Sequence, residues 1–237
     1  MTEMTGNLTL PLVQAAQAQK HVTVNEALAR LDGVAMLRLA GIGATTPPPT
    51  PAPGDVYALG AGAANDWFGH DGELAIETGG AWVFVAPQAG WRGWDVTAAR
   101  EVLFDGAAWV AGQVAGAPSG AAMRVGVLEF DHVIGAGPTS TTTQTIPSHA
   151  MVFGVTARVT AAISGTLTSW RLGVAGADDR FGSGLGLASG SFARGVLSSP
   201  VTEYAPTPLL LTGEGGDFAG GTVRLAIHHL TLTLPAA

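Results

Sequence analysis

Thr222-Val223-Arg224-Leu225-Ala226-Ile227-His228-His229-Leu230-Thr231-Leu232-Thr233-Leu234 reads as a β-strand whose apolar side changes partway along. Successive side chains in a strand point to opposite faces, so Val223, Leu225 and Ile227 share one face. Leu230, Leu232 and Leu234 hold the other parity. Keeping both sets inward requires one extra residue, and the pattern predicts a β-bulge at His228-His229.

Similar alternation recurs upstream. Met151, Phe153, Val155, Ala157 and Val159 alternate with Val152, Gly154, Thr156, Arg158 and Thr160, which predicts a long half-buried strand. Leu128, Phe130 and Ile134 share a parity, as do Trp170, Leu172 and Val174. The hydroxyl-rich run Thr139–Thr145 suits an extended edge or a loop. Several strands with Gly/Pro turns and no helical period, over 127–237, predict a β-sandwich of jelly-roll type.

Residues 54–110 read as a smaller β domain. Asp55–Leu59, Glu73–Glu77 and Ala81–Val85 are strand-length, and Thr78-Gly79-Gly80 is a hairpin turn between the last two. Asp71-Gly72 and Asp105-Gly106 are further turn dipeptides. Five of the six tryptophans (Trp67, Trp82, Trp91, Trp94 and Trp109) fall here, so aromatic burial should carry much of its stability. The Gly/Ala-rich segment 111–126 reads as a linker to the sandwich.

One helix is expected, over 23–40 within an N-terminal anchor segment 1–44. Thr23-Val24-Asn25-Glu26 fits a capping box. Val24, Leu28, Leu31 and Ala35 recur at helical spacing and form a candidate assembly stripe. The Gln/Ala run before it has few large apolar groups and needs a partner surface to become ordered. Thr45-Thr46-Pro47-Pro48-Pro49-Thr50-Pro51-Ala52-Pro53 reads as a semi-rigid spacer, 45–53.

Composition narrows the function classes. The 237 residues carry no cysteine, which excludes disulfide scaffolds, cysteine-ligated zinc and thiol catalysis. A net charge of −7 argues against nucleic-acid partners, which a basic face usually serves. Charged residues make up only 12%, against about 25% in ordinary domains. A membrane span needs about 18 uninterrupted apolar residues and none occurs, nor does the N-terminus read as a signal peptide. The expectation is a soluble chain made in the cytoplasm whose surface is hidden by assembly. The charge is uneven: residues 1–110 hold 5 basic and 11 acidic side chains, residues 111–237 hold 6 and 7.

Catalytic signatures are missing where they would be expected. Phe181–Gly190 lacks the spacing of a nucleophile elbow or of a dinucleotide-binding loop, and reads as a bent β connection. Glu129, Asp131, Asp178, Asp179 and Asp217 are carboxylates a glycosidase would use, with nothing to show that two converge. Adjacent His228 and His229 face opposite sides of a regular strand, so they favour one packed and one surface histidine over a metal site with His132 or Asp131. No cofactor and no enzymatic activity are expected. For non-catalytic sugar binding, an aromatic ring with nearby planar polar groups is needed. Trp170, Arg171, Asp179, Arg180 and Tyr204 are the candidates, with a core role for Trp170 as the competing reading.

Leu10-Pro11-Leu12-Val13-Gln14-Ala15-Ala16-Gln17-Ala18-Gln19-Lys20-His21-Val22-Thr23-Val24-Asn25-Glu26-Ala27-Leu28 resembles the opening of an uncharacterised domain family. That family is found in tailed-phage tail fibres and in the fibres or head spikes of alphaproteobacterial gene transfer agents. Pro53–Tyr57, Gly80–Phe84 and Pro87–Trp91 continue the likeness, which spans roughly residues 8–110. Thr168–Val174 and Phe218–Leu225 resemble the β-domain that often follows. The resemblance implies a virion protein that partners other virion proteins at the tail or capsid vertex, forms a homotrimer and contacts host surface polysaccharide. It carries over no catalytic residue. The Pro-rich insertion at 45–53 is longer than the family's usual connector.

Overall fold

The computed structural model describes residues 3–14 and 20–236. The chain is mainly β, with one α-helix among the described residues, and it splits into two compact units, Met1–Gly112 and Gln113–Ala237.

In the first unit, helix α1 spans Lys20–Ala35 and is followed by β1 (Arg38–Ala44), β2 (Val56–Leu59), β3 (Leu74–Glu77), β4 (Trp82–Val85), β5 (Arg92–Asp95), β6 (Arg100–Phe104) and β7 (Trp109–Ala111). They form one sheet in the order β4-β3-β2-β1-β5-β6-β7, with β1 parallel to both its neighbours. The strands expected at 55–59, 73–77 and 81–85 are present. Glu77, 5% exposed, closes the hairpin after β3 by accepting the Gly79 and Gly80 amides at 3.0 and 2.5 Å. Trp67 is fully buried and packs against Tyr57 and Trp82, with ring centroids 5.4 and 5.1 Å away.

The helix differs from expectation at both ends. It begins at Lys20, so Thr23 lies inside it and no capping box forms at Thr23. Glu26 instead reaches forward one turn to Arg30, 2.9 Å away. It stops at Ala35 because Leu37 and Leu39 are drawn into the sheet, where they are 6% and 0% exposed. Burial in tertiary structure outweighs helical propensity there.

The stripe points away from the core of the first unit. Val24 and Leu31 are 42% and 51% exposed, Ala35 is exposed and Leu28 is half-buried. The packed side of α1 carries Asp32, Gly33 and Val34. A Cβ at Gly33 would lie 2.5 Å from the Ile76 Cδ1, so glycine permits that approach.

The Pro-rich segment 45–53 joins β1 to β2 inside this unit rather than separating two domains. Its far end is fixed by Gly54 N donating to Glu77 O at 3.0 Å and Ala52 N to Asp55 Oδ2 at 2.8 Å. Residues 5–8 are fixed as well. Asp32, 2% exposed, accepts the Thr5 hydroxyl at 2.7 Å and the Asn7 and Leu8 amides at 2.9 and 2.7 Å. Most of the Gln/Ala run, 15–19, lies outside the described residues.

The second unit holds β8 (Gln113–Gly116), β9 (Ala122–Val133), β10 (Thr139–Ile146), β11 (Ala150–Gly165), β12 (Ser169–Val174), β13 (Ala177–Leu185), β14 (Phe192–Glu203), β15 (Thr207–Glu214) and β16 (Phe218–Thr233). The expected linker 111–126 is therefore largely strand: β8 pairs with the start of β9, because ladder hydrogen bonds need no large side chains.

Two sheets face each other, β10-β15-β12-β13 and β14-β11-β16-β9-β8. Setting aside the extra edge strand β8, this is the strand order of a jelly roll. The Thr139–Thr145 run forms the edge strand β10. Between the sheets lie Val223, Leu225 and Ile227, each fully buried, with Leu172, Leu209 and Leu211.

The bulge sits on a different strand from the one expected. β16 pairs with β9 without interruption from Thr222↔Val133 to Thr233↔Ala122. The extra residue is Phe153 on β11, since Val152 pairs with His229 and Gly154 with His228. It turns Val152 and Val155 inward, 1% and 0% exposed, and leaves Met151 and Phe153 38% and 39% exposed. Leu230, Leu232 and Leu234 consequently stay on the outer face, with Leu232 69% exposed.

Candidate functional site

The sugar-binding candidates separate into four places. Trp170 on β12 is 1% exposed and donates its indole N–H to Gly186 O at 3.0 Å, so its ring is core and offers no face to a ligand. This corrects its assignment as a stacking platform. The reason is its parity with Leu172 and Val174, which places all three between the sheets.

Arg171, one residue on, points outward and is held by the sheet's own carboxylates. Its Nε donates to Glu214 Oε1 at 2.8 Å and its Nη1 to Asp178 Oδ2 at 3.3 Å. Glu214 also accepts from the Ser169 hydroxyl at 2.6 Å and the Gly184 amide at 2.9 Å. These donors, the Arg171 guanidinium foremost, hold the Glu214 carboxyl down at about 2. The cluster ties β12, β13 and β15 together as a structural clamp. Asp179, exposed on β13, stands apart from it.

The remaining candidates, Arg180 and Tyr204, are linked through Glu203, which Arg180 pairs with and Tyr204 follows. Arg180 Nη1 donates to Glu203 Oε1 at 2.5 Å, and Thr207 Oγ1 lies 3.1 Å from Glu203 Oε2. The paired Glu203 ends β14 and delivers Tyr204 into the connection to β15. There the Tyr204 ring is 76% exposed and meets the His149 ring edge-on, 6.0 Å between centroids at 89°.

His149 was missed in the sequence. It belongs to the turn between β10 and β11 and holds a left-handed φ of 59°, an uncommon backbone for a non-glycine residue. Its amide donates to Glu203 O at 2.6 Å. Ser148 Oγ lies 3.0 Å from Tyr204 O and 2.7 Å from His149 Nδ1. A hydroxyl has one proton: given to Tyr204 O, it leaves the Ser148 oxygen to accept from Nδ1–H. The Pro147-Ser148-His149 turn carried no motif, so only the fold could bring it to Tyr204.

The result is an exposed aromatic face flanked by an imidazole and a hydroxyl, on a base fixed by an ion pair. Such a face takes the apolar side of a ring-shaped ligand while the polar edges take hydroxyls.

The outer face of the five-stranded sheet forms a second surface. A depression of about 410 Å³ is lined there by Glu129, Thr156, Arg158, Phe192, Arg194 and Arg224. Phe192 is 58% exposed, with the Arg158 and Arg194 guanidinium carbons 5.9 and 5.6 Å from its ring centroid. Asp131 takes Arg224 in two hydrogen bonds of 2.8 and 2.9 Å, which lowers the Asp131 carboxyl below its ordinary range. His228 lies on this face, 3.1 Å from Thr156 Oγ1, whereas His229 projects to the opposite side over Gly126.

Comparison with known proteins adds two similarities. Residues 24–110 match the family described as "Protein of unknown function (DUF2793)". A chain of the structure titled "Cyanophage Pam1 capsid asymmetric unit" is similar at 23% identity, over 47% of this chain and 84% of that one, with a TM-score of 0.32. No curated protein matches.

Proposed function

We propose that the chain is a virion fibre or spike protein, of the kind that forms a phage tail fibre. On this reading it attaches the particle to its host by non-catalytic binding of surface polysaccharide through the jelly roll. The observation that carries the reading is Tyr204, 76% exposed and flanked by His149 and Ser148. A ring so presented, at a loop end rather than in a core, is costly to leave in water unless it meets a partner.

Further support comes from the family match over 24–110 and from the sparse charge of the whole chain. Individual sugar sites are weak, and several copies on one particle gain avidity through effective concentration. The exposed stripe Val24, Leu31 and Ala35, with half-buried Leu28, suits contact with sister subunits, three in number, or with other virion proteins.

A second reading, a structural connector or head-spike base with no ligand of its own, is favoured by the apolar outer face of the five-stranded sheet. Binding of the full chain to bacterial surface polysaccharides, by glycan array and by calorimetry, separates the two. The adhesin reading expects binding that Tyr204→Ala weakens about tenfold or more without altering the melting temperature. Absence of binding to every polysaccharide on the array would overturn it in favour of the connector.

A further inference from the structure

The two sheets of the jelly roll have unlike outer faces. Large apolar side chains exposed on strands of the sandwich proper lie on β14-β11-β16-β9, among them Val127 at 63%, Val196 at 77%, Leu232 at 69% and Phe192 at 58%. None of the exposed large hydrophobics belongs to β10, β12, β13 or β15 among the described residues. A sheet that is apolar on its core side and again on its outer side marks a protein interface.

The strand registers order that outer face into levels. Val125, Leu230, Met151 and Thr202 stand in one row across β9, β16, β11 and β14. The next outward-facing row is Val127, His228, Gly154 and Val196. After it comes Glu129, Ala226, Thr156 and Arg194. Glu129 and Arg194 thus occupy opposite lateral ends of one row. Both are exposed: Arg194 lies over the Phe192 ring, and Glu129 acts on Arg224 across the face, although the hydrogen bonds of Arg224 go to Asp131.

We infer that this face packs against a second copy of the chain, related by a rotation axis running parallel to the strands. Such an axis keeps each row facing itself and exchanges left for right. Val127 then meets Val196 of the other copy, Leu230 meets Met151, and Glu129 meets Arg194. A two-fold axis across the strands would instead lay Glu129 on Glu129 and Arg194 on Arg194, or shift the charged row onto another row. Arg224 is already neutralised by Asp131, so its approach to the other copy's Arg158 adds little repulsion. The complementarity belongs to the chain itself, which selects a sister copy as occupant.

Sedimentation velocity on the full chain at about 10 μM, roughly mid-range for specific association, tests this inference. A multimer is expected. Val127→Glu should reduce it to monomer with unchanged circular dichroism. Arg194→Glu should weaken association about tenfold or more, and adding Glu129→Arg should restore it. The charge reversals sit at exposed positions and carry the test even if Val127→Glu impairs folding. A monomeric native chain, or a multimer indifferent to both reversals, would overturn the proposal. Polysaccharide binding by a monomer would refute the interface and leave the adhesin reading standing; a multimer without binding would do the reverse.

Discussion

Asp32 and Thr5, 27 residues apart, are joined by a 2.7 Å hydrogen bond from the Thr5 hydroxyl to the Asp32 carboxylate. The same carboxylate takes two backbone amides of the N-terminal segment while 2% exposed, so one helix side chain determines where the chain's first turn sits. Asp32→Ala leaves those donors without partners. The first unit should lose roughly 3 kcal/mol of stability, and residues 5–8 should lose hydrogen-exchange protection. Unchanged protection there would mean that the segment is held by other contacts.

Trp170 tests the distinction between core and ligand platform. Its ring is buried and its N–H is bonded to Gly186 O. Trp170→Ala is expected to destabilise the jelly roll by about 3–5 kcal/mol, measured by urea unfolding. Trp170→Phe, which keeps a ring but loses the hydrogen bond, should cost less and leave ligand binding at Tyr204 intact.

Glu214 predicts an acid dependence. Its folded-state value of about 2 lies below the 4.5 of the unfolded chain. The stabilisation it provides is therefore complete above about pH 4.5 and is lost as pH falls toward 2. Unfolding of Glu214→Gln should be less sensitive to pH across that window than unfolding of the native chain. Equal slopes would mean that the clamp with Arg171, Ser169 and Gly184 does not form in solution.

The fold was legible in the sequence wherever burial follows simple alternation. Val223, Leu225 and Ile227, and Trp170, Leu172 and Val174, all fill the jelly-roll core as their parity requires. Not every apolar residue on a strand faces inward. Leu230 and Leu232 change parity because their side chains leave the core, and no bulge in β16 accompanies them. The bulge was expected at the correct level and found across the ladder, at Phe153.

Local signals misled in other places. The Thr23-to-Glu26 spacing fits a capping box in any helix that starts there, and only the upstream Lys20 start removes it. Leu37 and Leu39 already carried a strand's two-residue period. Of the candidate site, Arg180 and Tyr204 were readable as residue types. His149 and Ser148 were not, since their proximity arises from two connections that are distant in sequence.

Glu129 and Arg194 offer the most direct test of the assembly at the centre of this account, because the native chain contains no cysteine. In one chain they are separated by three strand spacings, about 14 Å, too far for an intramolecular disulfide. The measurement is non-reducing electrophoresis of the oxidised Glu129→Cys/Arg194→Cys double variant, beside each single variant. The sheet-to-sheet assembly requires a covalent dimer or trimer for the double variant alone, reversed by reductant. A double variant that runs only as monomer would contradict it.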